Sequence, residues 1–291
     1  MNLELVKEWL PPVIYKPLLS LASEIIFMAY PHKEILKRNL QLKGIGKGKR
    51  AFLLATGPSI NQENLRLLAG EDCFSISNFY LHSEIQVINP LFHGFAPYHE
   101  PLILENYVEW LRQADRALPP YTKIVLGHRT LDIVKNFDLF PNRDVHYVYL
   151  RPHLGVKHAN LMQPIPAPRT GPLLLLPLMI YMGYEQIYLL GCDNTTLRDY
   201  KKTITNFYSP DQDIRNNATD ANTWSEIICE HEAIVNIFKQ YQEYAELAKS
   251  MERMAIINLS TDSWIDSFPF ARLEELPGLA GNIHTRAMAK I

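Results

Sequence analysis

The sequence is short of cysteine, of charge imbalance and of the common metal and cofactor signatures, and each shortage closes off a class of protein. Three cysteines in 291 residues, Cys73, Cys192 and Cys229, are too few and too scattered for a disulfide framework or a CxxC-type zinc site. The 29 Lys and Arg against 31 Asp and Glu leave a net charge of -2, with no electrostatic footprint for nucleic acid. There is no HExxH and no clustered His/Asp/Glu spacing to point to a resident metal. There is no GxSxG elbow for a serine hydrolase and no GxGxxG dinucleotide fingerprint. What remains is 47% hydrophobic, 11% aromatic and 21% charged, wrong for a disordered chain and enough for one large core. The expectation is a reduced, cytosolic, globular α/β protein.

The N-terminus is the compositional exception. Residues 1–30 are apolar and aromatic, but Glu4, Lys7, Glu8, Lys16 and Glu24 interrupt them well short of a spanning helix. No small-residue cleavage site of a signal peptide follows. Pro11, Pro12 and Pro17 are expected to break the stretch into short amphipathic pieces. Trp9, Tyr15, Leu18, Leu19, Ile25, Ile26 and Phe27 fit a bilayer interface, and equally an arm packed on the body or on a second subunit. Residues 33–50 then form a basic linker ending in GIGKGK, which lacks the Gly-Lys-Ser/Thr of a phosphate loop.

From residue 50 onward, short apolar runs alternate with amphipathic stretches, the pattern of a parallel sheet wrapped by helices. Strands are expected at 50–56, 72–78, 91–96, 123–127, 144–150, 186–191 and 255–260. Helical periodicity marks NLRLLAG, LENYVEWLRQA, TLDIVKNF, GPLLLLPLMIYMG and the run from Trp224 to Met251. An open parallel sheet binds its ligand beyond the carboxyl ends of its strands. Those ends read Thr56-Gly57-Pro58-Ser59, Ser77-Asn78, Pro97-Tyr98-His99, His128-Arg129, Arg151-Pro152-His153, Cys192-Asp193-Asn194 and Ser260-Thr261-Asp262. One edge of the sheet therefore collects most of the unusual polar residues.

Two of these ends carry chemistry. In AFLLATGPSINQENLRLL, Gly57 is expected to admit a ligand close to the backbone, and Ser59 or Asn61 to cap a following helix whose N–H groups suit a phosphate. In PAPRTGPLLLLPLMIYMG, a wholly apolar helix must be deeply buried, so its N-terminus presents Arg169, Thr170 and Gly171 as an anion site. The next strand ends at Asp193, a carboxylate suited either to a sugar hydroxyl or to stabilising its own loop. Residues 195–222 are long, polar and aperiodic, which suggests a lid. The helix after them begins with a capping box, Thr223 to Glu226. Its stripe of Trp224, Ile227, Ile234, Phe238, Tyr241, Ala245 and Ala248 includes His231, which is either a core histidine or a general base.

The run of (Thr56)-Gly-Pro-Ser, FSISNFY, LFHGFAPYHE, RTG before a buried helix and GYEQIYLLGCD resembles the bacterial lipo-oligosaccharide sialyltransferases, glycosyltransferase family forty-two. The resemblance spans about Phe52 to Trp264, with Thr56 where the family's first motif has asparagine. It implies a Rossmann-like α/β fold of about seven parallel strands, with a lid loop and an N-terminal helical arm. Residues 1–48 would be the arm and linker, and 49–291 the glycosyltransferase domain. It further implies metal-independent, inverting transfer of sialic acid, or a related acidic sugar such as Kdo, from a CMP-sugar to a cell-surface glycan or glycolipid. Under it, Thr56, Gly57, Pro58, Ser59, Asn78, Arg169, Thr170, Gly171 and Asp193 would hold the donor. Tyr200 and Tyr208 would face the leaving phosphate, and His231 would be the catalytic base. No cofactor and no metal are expected; the partners are the donor, the acceptor, and optionally the inner membrane face or a second copy. A pterin diphosphokinase-like enzyme and a non-catalytic nucleotide-binding accessory protein are the alternatives.

Overall fold

A computed structural model describes residues 11–99, 102–152, 154–202, 205–216 and 226–279. Its centre is a seven-stranded, wholly parallel sheet. The strands are β1 (Arg50–Leu54), β2 (Asp72–Ile76), β3 (Phe92–Gly94), β4 (Lys123–Gly127), β5 (Val145–Val148), β8 (Gln186–Leu190) and β9 (Ala255–Asn258). A separate ribbon pairs β6 (Leu150–Arg151) with β7 (Ile165–Pro166) and was not expected from the sequence. The helices are α1 (Pro12–Met28), α2 (Glu34–Lys37), α3 (Ile85–Ile88), α4 (Leu104–Ala117), α5 (Leu131–Asn136), α6 (Pro172–Met182) and α7 (Ile227–Lys249).

Both faces of the sheet are covered, which is why its strands read as unbroken apolar runs rather than alternating ones. Phe52 and Leu54 of β1 join Tyr188 and Leu190 of β8 in the core on the α4 side, with Tyr107, Trp110 and Leu111. Ala51 and Leu53, with Ile187 and Leu189, point the other way, against α6. α6 lies between the sheet and Tyr241, Tyr244, Ala245 and Ala248 of α7, so every side of it meets apolar atoms.

The strand order is β5-β4-β3-β2-β1-β8-β9. The chain starts near the middle with β1, builds outward to β5, then returns to place β8 on the other flank of β1. The direction of winding therefore reverses between β1 and β8, the topological switch point where open α/β sheets bind ligands.

Two local expectations are corrected. α1 is one 17-residue helix rather than several pieces. Pro12 sits at its first position, where no N–H is needed, and Pro17 gives up one hydrogen bond without ending it. NLRLLAG forms only a 3₁₀ turn, Leu65–Leu68. Among the described residues no helix is long and apolar enough to cross a membrane.

Candidate functional site

The two turns that flank the switch point are knitted together by backbone. The Ala55 N–H donates to the Leu190 carbonyl, and the Gly57 N–H to the Gly191 carbonyl, both at 2.9 Å. A Cβ on Gly57 would lie 2.5 Å from the Gly191 carbonyl oxygen and 2.6 Å from Asp193 Oδ2. Gly191 has φ +67°, and a Cβ there would fall 2.6 Å from Ile60. Both glycines are thus required by the approach of one turn to the other.

Asp193 reaches across this junction. Its carboxylate accepts the Ser59 N–H at 2.9 Å and also the Ser59 hydroxyl. Burial pushes its pKa above the usual carboxylate range, and the two Ser59 hydrogen bonds pull it part of the way back. Gly57 makes room for Asp193 on its Cβ side. One expectation changes here: the element after Gly57 is a five-residue 3₁₀ turn, Pro58–Gln62, that no side chain caps, in place of a capped helix. Asp193 binds Ser59, the loop-stabilising alternative, while still lining the cavity, and Ser59 for its part is buried and bound to Asp193.

Above the junction lies a cavity of about 350 Å³. Its floor and near wall are Thr56, Gly57, Pro58, Ser77, Asp193 and the N-terminal turn of α6 at Thr170, Gly171 and Pro172. Gly171 is the N-cap of α6, so the positive end of an eleven-residue helix faces this space. Its Cβ position lies 3.0 Å from Ile76, so the helix end packs tightly against β2. Ser77 holds a left-handed φ of +58°, a strained state for a residue with a side chain. It is supported from below. A carbonyl only accepts, so His93 Nε2 carries the proton it donates to Ser77 O at 2.9 Å, and Nδ1 accepts from the Ser75 hydroxyl at 2.7 Å. Complete burial lowers the His93 pKa to about 3, so the ring is neutral.

The far wall comes from the predicted lid. Asn194, Thr195, Thr196, Asp199, Thr205, Asn206 and Arg215 line the cavity. Of the expected lid, 203–204 and 217–222 lie outside the described residues, and parts of the remainder are tied to the body. The Phe207 N–H donates to the Thr56 carbonyl at 3.2 Å, and its ring meets Phe79 and His82. Arg198 binds both Asp199 and Asp262, and Lys202 also reaches Asp199 at 3.2 Å. These bonds hold the Asp199 carboxyl well below the usual range.

Thr56, Gly57, Pro58, Thr170, Gly171 and Asp193 are therefore brought together, as the sequence suggested. Other candidates lie elsewhere. Asn78 is wholly buried behind the wall, where it accepts a hydrogen bond from Trp110 Nε1. Arg169 is exposed, its backbone N–H tied to Gln240 of α7 at 2.9 Å, and its side chain does not line the cavity. The Tyr208 hydroxyl approaches Asp213 at 3.4 Å, and Tyr200 packs edge-on to His231 at 6.4 Å between ring centroids.

His231 is not on a buried stripe. It is exposed, as are Ile227 and Ile228, while Ile234, Tyr241, Ala245 and Ala248 are buried. The helix starts at Ile227, so His231 is its fifth residue, about 6 Å from the start at about 1.5 Å per residue. Thr223, Trp224 and Ser225 of the expected capping box lie outside the described residues, and Glu226 is the N-cap without a side-chain hydrogen bond. His231 Nδ1 lies 2.7 Å from the Ile227 carbonyl, so Nδ1 carries a proton, and the neutral tautomer with this contact is the one whose lone pair is on Nε2. His153 also lies outside the described residues.

Sequence reasoning named Ser77 only as a strand end beside Asn78, not as a donor-binding residue, and missed Arg215, whose loop carries no periodic or motif signal. It also passed over an Asp-x-Asp spacing, Asp211 to Asp213. Both carboxylates there have partners, Asp211 the Ser209 hydroxyl and Asp213 the Arg215 guanidinium. Among the described residues no group of three or more His, Cys, Asp or Glu is placed to hold a metal ion.

No protein-family model matches the chain, and no curated protein matches it. Solved structures do. Sialyltransferase CstII from Campylobacter jejuni, in complex with CMP-3FNeuAc, is 15% identical with a TM-score of 0.46, covering 76% of this chain and 85% of that one. The monofunctional alpha-2,3-sialyltransferase Cst-I from Campylobacter jejuni is 16% identical with a TM-score of 0.44, covering 83% and 94%. At this distance no site residue is transferred from them.

Proposed function

We propose that the protein is a glycosyltransferase that takes an acidic sugar, sialic acid or a relative such as Kdo, from its CMP donor and places it on a glycan or glycolipid. The observation that carries this reading is the cavity at the β1/β8 switch point. It is large enough for a mononucleotide and is lined by hydroxyls, a helix N-terminus and one arginine. The ordered motifs from Thr56 to Asp193 that resemble the sialyltransferases support the same donor.

The chemistry follows from the residues present. The sugar–oxygen bond to the CMP phosphate breaks, its electron pair stays on the phosphate, and the acceptor oxygen bonds to the sugar carbon from the opposite face. The acceptor proton needs a base, and His231 Nε2 is the group assigned to it. Its tautomer is fixed by Ile227, and its neighbour Tyr200 directly follows Asp199 of the cavity wall. Thr56, Thr170 and the α6 N-terminus stabilise the departing phosphate. The carboxylates at the cavity are already bound, Asp193 by Ser59 and Asp199 by Arg198 and Lys202, which supports a reaction that needs no metal. The exposed apolar side chains of α1, Val13, Leu18, Leu21, Ile25 and Ile26, support peripheral contact with the inner membrane face, where a glycolipid acceptor would lie.

The test is CMP-sugar turnover by the wild type and by His231→Gln, alongside CMP affinity. The expected result is a fall in kcat of roughly 10²–10⁴-fold with CMP binding unchanged. CMP binding without turnover in the wild type would favour a nucleotide-binding accessory protein. Full turnover in the variant would remove His231 as the base.

A further inference from the structure

Among the described residues that line the cavity there are two carboxylates, Asp193 and Asp199, and one cation, Arg215. Arg215 is unlike the other charged groups of this wall. Its side chain is 19% exposed, against 39% for Arg198 and 65% for Lys202, so of these three cations it is the one held on a mostly dry surface. It is also fixed in orientation. Nε and Nη2 bind Asp213 Oδ1 and Oδ2 at 2.8 and 2.5 Å, a two-pronged pairing. The guanidinium plane lies 4.3 Å over the Trp110 ring, and Trp110 is itself held by Asn78. With one edge on Asp213 and one face on Trp110, the Nη1 edge makes no hydrogen bond to any described residue. Behind it the buried Asn78 Nδ2 and Tyr80 hydroxyl have no hydrogen-bond partner among the described residues.

We infer that Arg215 is the phosphate anchor of this cavity, a pre-oriented guanidinium whose Nη1 edge binds the phosphate monoester of the nucleotide opposite the α6 N-terminus. The inference rests on the nucleotide reading given above and extends it to a residue outside every sequence motif. Asp213 and Trp110 act on the ligand only through Arg215 and are positioning residues. The arrangement explains why a loop with few backbone ties carries a bidentate ion pair. Asp213 and Trp110 restrict the long arginine side chain before ligand arrives, so less rotamer entropy is lost on binding.

The experiment is calorimetric titration of the full chain with matched pairs, CMP and cytidine, UMP and uridine, GMP and guanosine, and with inorganic pyrophosphate. The proteins are wild type, Arg215→Gln and Arg215→Lys, with melting followed by circular dichroism. Arg215→Gln is expected to weaken the monophosphate about 10- to 100-fold while leaving the nucleoside unchanged. Arg215→Lys, which keeps charge but not the fork, should fall between, and it gives the answer if the Gln variant does not fold. Equal weakening of nucleoside and nucleotide would make Arg215 a structural residue and overturn the inference. So would unchanged nucleotide affinity, or a wild type that binds neither nucleotides nor pyrophosphate. A wild type that prefers a guanine nucleotide, with the same Arg215-dependent phosphate gain, would sink the CMP reading and keep the anchor.

Discussion

The two walls of the cavity are built on different principles. The strand-end wall is backbone against backbone: two turns share hydrogen bonds, two glycines have no room for a Cβ, and one buried carboxylate staples Ser59. The loop wall is held by side chains, namely Arg215 on Asp213 and Trp110, Arg198 on Asp199 and Asp262, and Phe207 on Phe79. The first kind of wall tolerates almost no change in shape. The second tolerates exchange of partners, which is what a surface that must release product requires. Stability should therefore be concentrated in one wall and ligand selectivity in the other.

The sharpest way to break this comparison is Gly57→Val. Its side chain must displace the Gly191 carbonyl and Asp193, so a loss of at least about 3 kcal/mol, or failure to fold, is expected in chemical denaturation. Gly48→Ala is the control. Its φ of +77° makes a side chain strained there, unlike Gly57 at φ -63°, but it has open space, and about 1 kcal/mol is expected. Similar costs at the two sites would show that the strand-end wall is not tightly interlocked.

Acid should act next, and on the same wall. The His93 pKa is lowered in the fold to about 3, so its stabilisation is complete above the ordinary histidine value near 6.5 and is lost as pH falls below it. By pH 5 the loss is about 2 kcal/mol from His93. Asp199, held ionised by Arg198, should keep its ion pairs over the same range. Urea melts at pH 7.5 and 5.0, on wild type and His93→Asn, should show a smaller pH dependence in the variant. An identical dependence would detach His93 from the effect.

Removing the staple is a milder change. Ser59→Ala leaves the buried Asp193 carboxylate with neither the hydroxyl nor full compensation, and about 1–3 kcal/mol should be lost in the same melts. The smallest effect on stability is expected from deleting residues 1–26. This removes most of α1 but keeps Phe27 and Tyr30, which pack on Tyr149. Donor turnover should persist while vesicle co-sedimentation is lost. Unfolding, or dissociation of an oligomer, would instead make α1 a packing element.

The contrast between the walls also marks what the sequence made legible. All seven strands and their parallel arrangement were readable because buried parallel strands are continuous apolar runs between polar strand ends. Thr56 to Pro58, Thr170, Gly171 and Asp193 were readable for the same reason, since each lies within four residues past a strand or two before a buried helix. What could not be read was which of these polar atoms would bind each other. Nothing local says that Asp193 belongs to Ser59, more than a hundred residues away. The loop wall was legible only as an aperiodic segment, 195–222; its contacts were not, because Arg215 is placed by Trp110 and Asp213 rather than by any period or turn chemistry. His231 was misplaced because the stripe was extended back to Trp224, whereas the first turn of α7 is exposed and only the later turns are packed.

The central claim is that a cytidine nucleotide occupies the switch-point cavity, and hydrogen exchange with and without CMP, in the presence of a chelator, tests it most directly. The account predicts slowed exchange at residues 55–59, 171–174, 191–196 and 205–216 together, with both walls responding to one ligand. Unchanged exchange at all four segments would contradict it. So would protection confined to the opposite end of the sheet, around Lys49, Arg50 and Arg253, where another surface depression lies.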